Sequence, residues 1–186
     1  MVTVSALWLP ILLSSVLVFI ASSIVHMVLT FHKSDYRKLP DEENVLESMR
    51  KTGIPPGDYA FPFAASNKEM ASSEMAEKYK RGPVGLLTIL PSGPPAMGKS
   101  LLLWFVYSLI IGVFVAYVTG RTLPPEASYL IVFRISSTTA FMAYAFAHSH
   151  NLIWKGQSLG TTIKFWMDGL IYGLLTAGVF ASLWPN

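Results

Sequence analysis

LWLPILLSSVLVFIASSIVHMVLTF, residues 7–31, is an apolar run of membrane-crossing length. Three more follow: LLLWFVYSLIIGVFVAYV at 101–118, SYLIVFRISSTTAFMAYAFA at 128–147 and IKFWMDGLIYGLLTAGVFASLW at 163–184. A helix needs about 18–20 mostly apolar residues to cross roughly 30 Å of hydrocarbon, and each run approaches or exceeds that. Four of them in 186 residues predict an all-α membrane protein with four transmembrane helices. Between helices 1 and 2 the chain leaves room for a small α+β loop cap. The expected divisions are 1–31 for the first helix, 32–99 for the loop, and 100–186 for helices 2 to 4.

Composition agrees. Charged residues are 13% of the chain, against about 25% in an average globular domain. There is no cysteine, which excludes disulfides, thiolate metal sites, iron–sulfur clusters and a Cys nucleophile. The net charge is +3, but no Lys/Arg cluster is dense enough for nucleic acid.

Positive charge predicts the orientation. Lys33, Arg37 and Lys38 follow the first run, and Lys155 and Lys164 lie between the third and fourth. Only Arg121 lies between the second and third. The positive-inside rule then places the long loop in the cytoplasm and both termini outside. Residues 1–10 lack the basic start of a cleaved signal peptide, so the first run is expected to stay as a span. The compartment expected is a bacterial inner membrane.

The loop has its own punctuation. Asp41, Glu42 and Glu43 after Pro40 open a short helix at its positive dipole end, and Gly53, Pro55 and Pro56 stop it. Segments 58–63 and 84–90 read as extended. Ser72 and Ser73 cap a helix running to Arg81, ended by Gly82-Pro83. Such a cap is too small to hold much core of its own.

Residues 93–100, GPPAMGKS, match the P-loop pattern from Gly93 to Ser100. A P-loop aims successive backbone N–H groups at phosphates, and Pro94 and Pro95 have none. The segment reads instead as a turn into a membrane helix with Lys99 reaching the headgroups. No nucleotide partner is expected.

Small residues recur every four positions: Ser108, Gly112, Ala116 and Gly120 in the second run; Thr139, Ala143 and Ala147 in the third; Gly169, Gly173, Ala177 and Ala181 in the fourth. Small-xxx-small stripes let helix backbones approach closely. They serve packing within the bundle or against another subunit.

Ionisable groups within spans are functional suspects. Arg134 lies in the third run and Asp168 in the fourth. Counted from the run ends, they fall roughly 10 Å apart along the axis, so pairing requires Arg134 to stretch inward. The plainer account has Arg134 reaching outward and Asp168 bonded to a Ser, Tyr or His near the inner face. His26 lies near the inner end of the first run, His32 follows it, and His148 and His150 close the third. His26, His148 and His150 are the candidate ligands for a metal, haem or chlorophyll magnesium, although the i,i+2 spacing of the last two puts their rings on different helix faces. His26 with Asp168 also suits a proton relay. No cofactor is expected from spacing alone. No G-x-S-x-G elbow, H-E-x-x-H pair or dense acidic cluster appears, so no enzyme is expected.

LWLPILLSSVLVFIASSIVHMVLTFHKSDYRKLPDEE at 7–43, PPGDYAFP at 55–62 and GPVGLLTILPSGPPAMGKS at 82–100 resemble a family of uncharacterised small bacterial four-helix membrane proteins. The resemblance implies the architecture and carries no activity or residue roles. The functional expectation is a non-catalytic accessory subunit that packs with other subunits and lipid in a larger membrane complex of respiratory or photosynthetic type. Two alternatives remain: a small homo-oligomeric transporter or channel using Arg134, Asp168 and His26, and a haem-, pigment- or metal-binding protein.

Overall fold

The structure, a computed structural model, describes residues 1–185. In chain order the elements are a 3-10 turn Val4–Leu7, α1 Trp8–Ser23, a wide π turn Ile24–Val28, a 3-10 turn Phe31–Ser34, α2 Glu42–Thr52, β1 Gly57–Phe61, α3 Asn67–Met70, α4 Ser73–Arg81, β2 Gly85–Ile89, α5 Met97–Thr122, α6 Tyr129–Ala145, α7 Ala147–Lys155 and α8 Leu159–Ser182. Two compact units result: residues 1–36 with 96–185, and residues 37–95.

The first unit holds four helical runs long and apolar enough to cross a membrane: Val4–Val28, Met97–Thr122, Tyr129–Lys155 and Leu159–Ser182. The shortest has 24 residues, about 36 Å of helix. α6 and α8 lie against each other along most of their lengths, α1 packs on α5 and α8, and α5 closes on α6. Leu7, Val18, Val115, Val132 and Phe180 are fully buried between them. The outward faces are also apolar, with Leu102, Phe114, Tyr117, Leu130 and Leu174 exposed. A water-soluble bundle would place polar residues there.

The runs are longer than their apolar cores. The second starts at Met97 rather than residue 101, because nothing after Pro94-Pro95 opposes a helix, and Gly98, Lys99 and Ser100 form its first turn. The third continues past residue 147 through His148 and His150 to Lys155, where Gly156 adopts a left-handed φ of 67°. The fourth starts at Leu159, capped by the Ser158 hydroxyl, which accepts from the Thr161 N–H at 3.0 Å.

The small-residue stripes of the second and fourth runs lie inside the bundle, whereas in the third Thr139 and Ala143 are half-buried and Ala147 is exposed. A Cβ at Gly112 would meet Ile11 of α1 at 3.2 Å, and one at Gly173 would meet the backbone of α6 at Ser137 and Phe141, also at 3.2 Å. Ser108, Ala116, Gly120, Gly169, Ala177 and Ala181 are buried as well. Buried hydroxyls bond back along their own helices, as Ser15 does to Ile11 O at 2.7 Å and Thr176 to Tyr172 O at 2.8 Å. Such hydroxyls enter the interface with their donors met; the buried Thr119 hydroxyl is an exception, with no partner.

The second unit is a two-stranded antiparallel sheet with three helices. β1 pairs with β2 in the register Gly57↔Ile89 to Phe61↔Gly85. Gly53, at φ 66°, ends α2. Met75 is the only buried apolar side chain among its described residues, so local devices carry much of its order. One is the Ser72 hydroxyl, which accepts from the Met75 N–H at the start of α4. Ser72→Ala is expected to cost about 1 kcal/mol. Hydrogen exchange on the whole protein should show faster exchange over 73–81 and unchanged exchange in the four long helices.

Candidate metal centre

α1 does not end as a regular helix. In the π turn Ile24–Val28 the Leu29 N–H donates to Ile24 O, five residues back, at 3.0 Å. The extra residue re-aims His26, which lies within the turn. The chain then folds into the 3-10 turn Phe31–Ser34, which returns His32 toward the bundle and sets Asp35 behind it. α8 supplies Lys164 and Asp168, four residues apart and therefore on one face.

These residues form a connected chain. Lys164 Nζ donates to Asp35 Oδ1 at 2.7 Å and to Ser34 Oγ at 2.8 Å. Asp35 Oδ2 bonds His32 Nδ1. His32 Nε2 lies 3.0 Å from Asp168 Oδ2, and His26 Nε2 lies 3.6 Å from the same oxygen. The imidazoles of His26 and His32 stack at 4.2 Å with 27° between planes. Burial pushes the Asp35 carboxyl up, but the bonds from Lys164 and His32 with their charges outweigh it and hold the group below the usual carboxylate range.

His32 Nε2 and Asp168 Oδ2 are both buried, and neither has an aligned hydrogen-bond partner despite the 3.0 Å between them. With Asp35 accepting from Nδ1–H, a neutral His32 turns the bare lone pair of Nε2 toward a carboxylate oxygen. Two lone pairs face each other in a buried place, which is unfavourable unless a proton or a cation sits between them.

A metal ion fits the same atoms. The His26, His32 and Asp168 donor atoms all lie within 4.8 Å of one another. Ligands around a tetrahedral first-row ion sit about 2.0–2.2 Å from it, or roughly 3.3 Å from each other. The observed 3.0 and 3.6 Å bracket that value. Two imidazoles and a carboxylate suit zinc, iron, cobalt or manganese and leave coordination positions open. Asp35 stands where the outer carboxylate of a carboxylate–histidine–metal arrangement belongs, fixing the tautomer and aim of His32.

A cavity of about 420 Å³ opens beside the cluster, and His26 and Asp168 belong to its wall. Trp104, Tyr107, Tyr144, Phe165 and Tyr172 give it an aromatic side. His148 also lines it, stacked on Phe165 at 4.2 Å and 7°.

Of the residues singled out by sequence, the fold brings His26 and Asp168 together. His148 lies on the cavity wall, outside the three-residue cluster, and His150 is exposed on α7. Arg134 is exposed on α6. Gly169 packs against Ala145, so Asp168 is level with the far end of α6. The eleven residues from Ala145 back to Arg134 cover about 16 Å. That exceeds the sequence-based separation, because α6 is crossed near its end, and no ion pair joins Arg134 to Asp168 among the described residues. His32, Asp35 and Lys164 join the site, and Tyr172 the cavity beside it, without having been singled out as site residues. The available signals were the i,i+3 pair His32/Asp35 and the i,i+4 relations of Asp168 with Lys164 and Tyr172. No protein-family model matches this chain, and no curated protein or solved structure matches it either.

Proposed function

We propose that this protein is a multi-pass metal-binding protein of a bacterial inner membrane, holding one first-row divalent ion between His26, His32 and Asp168. The observation that carries this reading is that three donor atoms lie within 4.8 Å of one another, two of them buried and unpaired. Lys33, Arg37, Lys38, Lys155 and Lys164 favour an orientation with the long loop and this end of the bundle in the cytoplasm. Three protein ligands leave room for an exogenous ligand, and the cavity gives one access. No reaction is assigned.

Elemental analysis of protein extracted without chelator tests the proposal. One equivalent of zinc, iron, cobalt or manganese per chain is expected, falling to background in His26→Ala/His32→Ala. Wild-type protein that binds none of these ions after chelator stripping and reloading overturns the reading. Asp35→Asn probes the outer shell. It should weaken zinc binding by about 10- to 100-fold while leaving the stoichiometry unchanged, because Asp35 orients a ligand without touching the ion. Zinc titrations against a competing chelator would measure it.

A second reading, an accessory subunit of a larger membrane assembly, is favoured by Arg134. Its side chain is exposed on the outward face of α6, where lipid is a poor neighbour for a guanidinium unless it reaches the interface. Native mass spectrometry of gently extracted membranes tests this: a heteromeric complex supports it, and a bare monomer or homo-oligomer counts against it.

A further inference from the structure

We propose that the aromatic cavity binds a neutral, membrane-soluble ring amphiphile bearing a carbonyl or phenol oxygen, of the lipoquinone type, with that oxygen accepting a hydrogen bond from Tyr172. The proposal goes beyond metal binding and does not depend on an ion being present.

The first ground is an unmet donor. Tyr172 is 3% exposed, its hydroxyl has no hydrogen-bond partner, and it belongs to the cavity wall. A buried O–H without an acceptor is costly, so the site is complete only when an acceptor enters. The second ground is the shape of the wall. Trp104 stacks on Tyr107 at 5.5 Å and meets Tyr172 edge-on at 6.0 Å, while Tyr144 meets Tyr172 edge-on at 5.4 Å. Trp104 is held in place by its Nε1–H donating to Ser22 Oγ at 2.8 Å. Such rings offer both faces and edges to a planar guest. The volume of about 420 Å³ lies within the usual range for a small-molecule site.

The third ground is charge. No Lys or Arg lines the cavity, and Asp168 does. With no ion bound, a phosphate or carboxylate headgroup would meet the Asp168 carboxylate and no Lys or Arg, which favours a neutral head over an anionic lipid. The fourth is the mouth. Met27 and Met97 line the cavity and are largely exposed, at the ends of two runs long enough to cross a membrane. Flexible, polarisable thioethers at an apolar opening suit a guest that arrives from lipid with its tail trailing outward.

The test uses the full-length protein in nanodiscs and coenzyme Q1 as the probe, read by tryptophan quenching. Saturable quenching is expected, with the dissociation constant raised about tenfold in Tyr172→Phe, which removes only the hydroxyl. Co²⁺ binding should be unchanged in Tyr172→Phe, and quinone binding should persist after chelator treatment. Failure of the metal reading therefore leaves this result standing, and the reverse also holds. Linear, non-saturable quenching, or saturable binding that Tyr172→Phe does not weaken, overturns the proposal. Decylbenzene, with a ring and no oxygen, should bind weakly; equal binding also overturns it. Wild-type protein photolabelled with an azidoquinone gives an answer independent of any variant. Adducts on the segments carrying Trp104, Tyr144 or Tyr172 support the site, and adducts confined elsewhere refute it.

Discussion

Asp168→Asn is expected to weaken zinc binding by more than about 100-fold, the upper end of the loss from an outer-shell change alone. The side chain keeps its size, so α8 keeps its packing, but the charged oxygen shared by both histidines is replaced by an amide. His26 Nε2 and His32 Nε2 lie 3.6 and 3.0 Å from that oxygen, and no other carboxylate joins the cluster among the described residues. Two imidazoles remain, one of them on the partly exposed π turn. Competition titration with a chromophoric chelator measures the loss. His148→Ala serves as a comparison, since His148 stacks on Phe165 and lies outside the ligand set; it should leave zinc affinity within a factor of a few. If Asp168→Asn binds zinc as tightly as the wild type, the assignment of ligands is wrong.

Gly169→Leu is expected to lower stability by about 3 kcal/mol or more, at or beyond the upper end of the usual overpacking cost. A Cβ at position 169 would lie 2.7 Å from the Ala145 Cβ and 3.0 Å from its Cα. The obstacle is the backbone of α6 and not the end of a flexible side chain, so the two helices must separate. The damage should spread to the site, because Asp168 is the adjacent residue. Gly178→Ala is the contrasting change. Nothing lies within 4 Å of a Cβ there, so no clash is expected, and alanine's better helix propensity should raise stability by about 0.5–1 kcal/mol. Denaturation in mixed micelles would compare the two, and equal stabilities would contradict the close packing of α6 on α8.

The number of long helices was legible because apolar runs of this length have few other uses. Their ends were less so. An apolar run stops at the first polar residues, whereas a helix continues until a backbone breaker. Lys99 and Ser100 therefore joined α5, and the helix after Ala147 continued to Gly156. In the loop, Gly53 and Ser72 are local devices whose effects do not depend on distant packing, and the helices they bound appear where those residues predict.

The candidate site was legible in its level and not in its partners. Span lengths put His26, His32, His148, His150 and Asp168 near one end of the bundle. Which of them share a point depends on the π turn that re-aims His26 and on the 3-10 turn that returns His32 to α8. Neither turn has a sequence signature at Ile24–Val28 or Phe31–Ser34. Tyr172 reads as one more aromatic residue in an apolar run until its unpaired hydroxyl is placed at the cavity wall.

X-ray absorption at the zinc edge, on stripped and reloaded wild-type protein, reads the ligand set itself. Bound zinc with two imidazoles and oxygen as its other ligands is the expected result. A first shell without imidazole, one with three or more imidazoles, or protein that retains no zinc would contradict it.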